Sequence, residues 1–131
     1  PTRRSSDLVA VVSSLGVGPG GHTLNVNADY AATRLALGIG AAKLILMTDV
    51  PGVLRDRNDP ASVISSMTCS EARQLIADGV IATGMVPKIE SAMRTVEAGL
   101  ENLHIIDGAA PHALAREVFS ATGCGTKITK G

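Results

Sequence analysis

Aromatic residues are nearly missing: one Tyr, one Phe and no Trp in 131 residues. A surface that stacks sugars or single-stranded bases has almost nothing to stand on. Any core must therefore be Val, Ile, Leu, Ala and Met. Net charge is missing too. Twelve Lys and Arg balance twelve Asp and Glu, which argues against nucleic acid as a partner and against an acidic solvating tail. Cysteine is scarce. Cys69 and Cys124 lie far apart and form no CxxC pair, so a disulfide framework is not expected and a reduced, cytoplasmic compartment fits. No apolar run reaches membrane-spanning length, so no membrane partner is expected. The first residues are polar, lack the apolar core of a signal peptide, and start at Pro1. The expectation is a truncated or processed chain.

What is present suits a folded domain. Hydrophobic residues make up 45% and charged residues 18%, enough apolar surface for a core. Leu8–Val12 reads as a buried strand, and Gly16–Gly21 as a turn cluster. A helix opens near Ala28, with Ala31, Ala32, Leu35 and Ala36 as its packed face. Lys43–Thr48 is the clearest strand, apolar on both faces as in a covered parallel sheet. Thr68 with Glu71 forms a capping-box pattern for a helix to about Ala77. Pro87 opens another helix, on which Ile89, Ala92, Met93 and Val96 make an amphipathic stripe. Leu103–Ile106 is a strand, Pro111 starts a short helix, and Thr126–Thr129 is expected as a last edge strand. Strands alternating with helices predict an α/β fold with a mainly parallel sheet.

In such sheets ligands sit beyond the carboxyl ends of the strands. Three segments are rich in polar residues. In Asn25–Asp29, alternation puts Asn25 and Asn27 on one side of an extended run, able to bind a carboxylate or amide. The plainer alternative is that Asn27 caps the helix and Asp29 favours its dipole. In Thr48–Leu54, a hydroxyl and a carboxylate precede a Pro-Gly turn, where Gly52 lets backbone approach a flat or phosphorylated ligand. An ordinary strand-to-loop corner is the alternative. In Gly84–Lys88, a Lys in the first helical turn faces an unfavourable dipole. A bound anion would turn this into a site; an exposed Lys at small cost is the alternative. The three His and two Cys make no metal pattern, and His104 reads as a satisfied, partly buried strand residue. Arg55–Pro60 reads as a polar surface excursion.

Taken together, these segments resemble the C-terminal half of the N-acetylglutamate kinase family, in the amino acid kinase superfamily. Leu24–Asp29, Leu44–Leu54, Gly84–Lys88, His104–Gly108 and Gly125–Thr126 carry the resemblance, which spans about residues 9–129 and leaves residues 1–8 unmatched. It implies an αβα sandwich, with residues 9–131 the nucleotide-binding part and the N-terminal half missing. It implies ATP-dependent phosphorylation of the γ-carboxylate of N-acetyl-L-glutamate, the second step of arginine biosynthesis. By the same resemblance, Asn25 would hold the substrate, Asp29 would orient catalytic lysines, and Lys88 would stabilise the transferring phosphoryl group. Asp49, Val50, Gly52, Val53 and Leu54, with Val80, Ile81 and Ala82, would line the nucleotide site. Mg²⁺ would ride on the phosphates rather than sit in a protein metal site.

The family's Gly-rich loop with a second Lys, its Gly-Gly substrate loop and its substrate-clamping Arg have no counterpart in the sequence. The expectation is a fragment inactive alone, and a homo-oligomer when complete. His104 and Glu117 match places that bind an L-arginine inhibitor in some members. Rival readings are another kinase of the superfamily (aspartate, glutamate-5, carbamate or uridylate), or a non-catalytic module binding nucleotide or amino acid.

Overall fold

The computed structural model describes residues 9–131. Ten elements follow in chain order: β1 (Leu15–Val17), β2 (Thr23–Asn25), α1 (Ala28–Gly38), β3 (Lys43–Thr48), β4 (Ser66–Thr68), α2 (Cys69–Ala77), α3 (Val86–Glu97), β5 (Asn102–Asp107), α4 (Ala113–Phe119) and β6 (Thr126–Thr129). A short 3-10 turn, Pro19–Gly21, joins β1 to β2.

The main sheet has the order β3-β5-β6-β4. β3–β5 and β4–β6 are parallel, whereas β5–β6 is antiparallel. α1, α2 and α3 pack together on one face. Leu103 and Ile105 of β5 and Ile128 of β6 join Ile89, Ala92, Met93 and Val96 of α3 in that core. α4 packs on β5 from the other face, where strand alternation turns His104 and Ile106. This is the expected α/β arrangement, with helices on both faces of a mixed sheet.

Local chemistry explains the elements. The Thr68 hydroxyl accepts from the Glu71 amide, and the Glu71 carboxylate accepts from the Thr68 amide, so the capping box of α2 is complete. The apolar stripe foreseen on α3 is buried throughout. Both cysteines are free thiols. Among the described residues no helix is long and apolar enough to cross a membrane.

Four expectations need correction. No strand forms over residues 9–12, where Val9, Val11 and Val12 are exposed; Leu8 lies outside the described residues. An apolar run becomes a strand only where a partner edge is available, and none pairs with it here. Within the turn cluster, Gly16 and Val17 belong to β1, which pairs antiparallel with β2 in a separate hairpin. On α1 the buried residues are Thr33 and Ala36, while Leu35 is 44% exposed. Thr33 can be buried because its hydroxyl donates to the Tyr30 carbonyl at 2.8 Å. β6 is an interior strand, not an edge. Thr126 and Ile128 are wholly buried there, and Gly125 allows the chain to enter. A Cβ at Gly125 would lie 2.1 Å from the Ile105 carbonyl oxygen.

Candidate active site

The site begins where β3 ends. Thr48 turns the chain by accepting from the Val50 amide at 3.2 Å and donating to the Val50 carbonyl at 2.9 Å. Gly52 follows with φ +143°, and a Cβ there would approach the Thr126 hydroxyl to 2.6 Å. That hydroxyl accepts from the Val53 amide at 2.8 Å, and the Val53 carbonyl accepts from the Ile64 amide at 2.8 Å. The loop leaving β3 is therefore fixed to β6 at the centre of the sheet. Any residue other than glycine at position 52 would push it away.

This loop forms one wall of a cavity of about 310 Å³. Asp49, Val50, Gly52, Val53 and Leu54 line it. Val80, Ile81 and Ala82, between α2 and α3, line the opposite side. Gly84, Met85 and Lys88 close it at the start of α3, and Arg57 reaches it from the excursion after Leu54. The walls are mainly aliphatic, with Asp49, Arg57 and Lys88 as the charged groups. A mainly apolar cavity with a few charged groups suits a ligand with a flat ring and an ionic tail.

The Lys88 ammonium lies 2.6 Å from Asp29 Oδ2. Each side chain stands in the first turn of its own helix, Lys88 on α3 and Asp29 on α1. The pair thus spans two helix N-termini, and the carboxylate offsets both the ammonium and the positive helix ends. Side-chain exposures of 26% and 39% leave both groups within reach of solvent or ligand. Asn27 caps α1, its Oδ1 accepting from the Tyr30 amide at 3.0 Å. The capping alternative thus holds for Asn27, while Asp29 has a further partner 59 residues away.

The other candidates stand apart from this cavity. Asn25 is exposed on β2, paired with Leu15 across the hairpin, and does not line the cavity. His104 and Glu117 are brought together beneath α4, where His104 Nδ1 and Glu117 Oε1 share a hydrogen bond. Glu117 Oε2 also accepts from the Cys124 amide at 2.7 Å. Burial is the largest single influence on this carboxyl and pushes its pKa up. The Cys124 amide, the His104 hydrogen bond and the attraction of His104 together outweigh it, holding the pKa below the usual 4.5. Both oxygens of Glu117 already have partners within the chain. His104 is buried, but its Nε2 has no hydrogen-bond partner among the described residues, so there the histidine is satisfied at one nitrogen rather than both.

The sequence model of the amino acid kinase family matches residues 2–107. The chain belongs to this family. Acetylglutamate kinase of Moorella thermoacetica is 49% identical over 123 residues, which cover 94% of this chain and 42% of that protein. Acetylglutamate kinase of Parasynechococcus marenigrum is 51% identical over 121 residues, covering 92% and 41%. N-acetylglutamate synthase from Neisseria gonorrhoeae, solved with coenzyme A and N-acetyl-glutamate, superposes with TM-score 0.80 at 30% identity, over 90% of this chain and 27% of that one. The chain spans about two fifths of the length of the kinases it matches.

For this amino acid kinase family member, the structure gathers Lys88, Asp49 and the segments Val50–Leu54 and Val80–Ala82 around one cavity, with Asp29 on Lys88. Sequence reasoning did not name Thr48, Arg57, Gly84 and Met85 individually as cavity residues. Three of these lie inside segments already singled out. Arg57 lies in the charged excursion, where nothing in the sequence separates a cation facing a cavity from one facing water.

Proposed function

We propose that the protein to which these residues belong is an acetylglutamate kinase, transferring the γ-phosphoryl group of ATP to the γ-carboxylate of N-acetyl-L-glutamate. The observation that carries this is the convergence of Asp49–Leu54, Val80–Ala82 and Lys88 on one mainly aliphatic cavity. The identity of about half to the two acetylglutamate kinases supports the choice within the family.

In this reading, the aliphatic walls hold the base and ribose, and the phosphates extend toward Lys88. A carboxylate oxygen of the substrate attacks the γ-phosphorus, the bond to the β–γ bridging oxygen breaks, and ADP leaves. The attacking carboxylate is already deprotonated, so no protein base is needed. Catalysis is positioning plus charge. Lys88 offsets the negative charge on the transferring group. Asp29 holds the ammonium in place. Asn25 would face the substrate from outside the cavity.

Among the described residues, no group of three or more His, Cys, Asp or Glu side chains could hold a metal. Among the described residues, Asp49 is the one acidic side chain lining the cavity. Such a sparse donor set fits Mg²⁺ carried on the nucleotide phosphates with most of its waters retained. When bound, the ion would neutralise phosphate charge, and Asp49 would hold one of its waters.

The family's second catalytic lysine and its substrate-clamping arginine have no counterpart in these 131 residues, so we expect no turnover by the chain alone. L-arginine as an inhibitor would need Glu117 to exchange His104 or Cys124 for a guanidinium. A cytoplasmic homo-oligomer completes the reading. A coupled ADP-release assay on the complete protein tests it, with N-acetylglutamate, aspartate, glutamate, carbamate and UMP as acceptors. Turnover with N-acetylglutamate alone is the expected result. Preference for another acceptor, or turnover by the 131-residue chain itself, would overturn it.

A further inference from the structure

The two cations of the cavity are in different states. Lys88 is bound to Asp29. Arg57 makes no ion pair among the described residues, although Asp56 and Asp59 are its near neighbours in sequence. Those carboxylates are used inside the loop. Asp56 Oδ1 accepts from the Asn58 amide and Asp59 Oδ1 from the Ala61 amide, each at 2.9 Å. The Ser62 hydroxyl accepts from the Asp56 amide at 3.0 Å and faces the Asp56 and Asp59 carbonyls at 2.8 and 2.7 Å. The Leu54–Val63 bridge closes the loop at its base. The excursion is thus a hydrogen-bonded scaffold that brings Arg57, exposed and without an ion pair among the described residues, to the wall of the cavity.

We propose that Arg57 is a phosphate-binding residue of this cavity, its guanidinium gripping phosphate oxygens of a nucleoside triphosphate whose base lies against the aliphatic walls. The proposal rests on the kinase reading of the site. A planar guanidinium matches two phosphate oxygens at once, and among the described residues lining the cavity Arg57 is the cation without an ion pair. Ser62 is a positioning residue for it.

The test is calorimetric titration of the 131-residue chain with Mg-ATP and, separately, with adenosine. It compares wild type with Arg57→Ala and Arg57→Gln, the second keeping length and hydrogen-bonding capacity without charge. Circular dichroism and melting confirm that each variant is folded. Both substitutions should weaken ATP binding about tenfold or more and leave adenosine binding unchanged. Raised salt should weaken ATP binding to wild type more than to Arg57→Gln. Unchanged ATP affinity in a folded variant overturns the assignment while leaving the kinase reading intact. An equal loss for adenosine places Arg57 on the base or ribose and also overturns it. A folded wild type that binds neither ligand overturns the Arg57 assignment for this chain, while the kinase reading, which concerns the complete protein, is decided by the ADP-release assay.

Discussion

Two of the carboxylate–base pairs among the described residues, Asp29–Lys88 and Glu117–His104, are separated by burial. Asp29 and Lys88 meet at the mouth of the cavity, with side chains 39% and 26% exposed. Glu117 and His104 meet under α4, with side chains 5% and 7% exposed. At the first, water or a ligand can replace either partner at small cost, and the net worth of the contact to folding is small. At the second, losing a partner leaves buried polar groups with nothing to replace it. An open pair can exchange its charge with a substrate, whereas a sealed one joins elements. The Glu117 pair joins α4, β5 and the chain leading into β6.

The largest effect that would break this contrast is at the sealed pair. Glu117→Ala strands His104 Nδ1 and the Cys124 amide, so we expect a loss of about 3 kcal/mol in urea unfolding. A loss as small as that of an exposed pair would erase the distinction. Next is Gly52→Ala, which sets a Cβ against Thr126 at positive φ. It should cost about 2 kcal/mol in the same measurement and also weaken ATP binding, because the cavity wall moves. Lys88→Ala should change stability by less than about 1 kcal/mol and weaken Mg-ATP binding about tenfold, as read by calorimetry. The smallest effect sharpens the contrast through pH. The folded Glu117 carboxyl releases its proton more readily than the unfolded one. Its contribution to stability is therefore full above the unfolded value near 4.5 and is lost as pH falls through the lower folded value. The gap in unfolding midpoint between wild type and Glu117→Ala should narrow, without closing, below that point.

Much of this contrast was legible in the sequence, for physical reasons that differ by residue. The α3 stripe and the Thr68–Glu71 box are local patterns, so spacing alone located them. The cavity segments stood out because a carboxylate, a Pro-Gly turn and a helix-start Lys are each odd at a strand end. Placement across the sheet was not legible. Thr126–Thr129 is short and ends the chain, so it reads as an edge strand, but its burial depends on β4 pairing from the far side. The pairing of Asp29 with Lys88 spans 59 residues, so spacing does not give it, but the family resemblance, in which Asp29 orients catalytic lysines, does. Arg57 gave no signal, because its neighbours Asp56 and Asp59 suggest a solvated charge cluster. Only the loop's own hydrogen bonds show that those carboxylates are occupied.

The central claim is that the open pair belongs to a nucleotide site and the sealed pair to the scaffold. The most direct test is calorimetric titration of the folded 131-residue chain with Mg-ATP, for wild type, Lys88→Ala and Glu117→Gln. Saturable binding to wild type, clearly weakened in Lys88→Ala and retained in folded Glu117→Gln, is the predicted result. Absence of saturable binding to folded wild type, or a Lys88→Ala affinity equal to wild type, would contradict it.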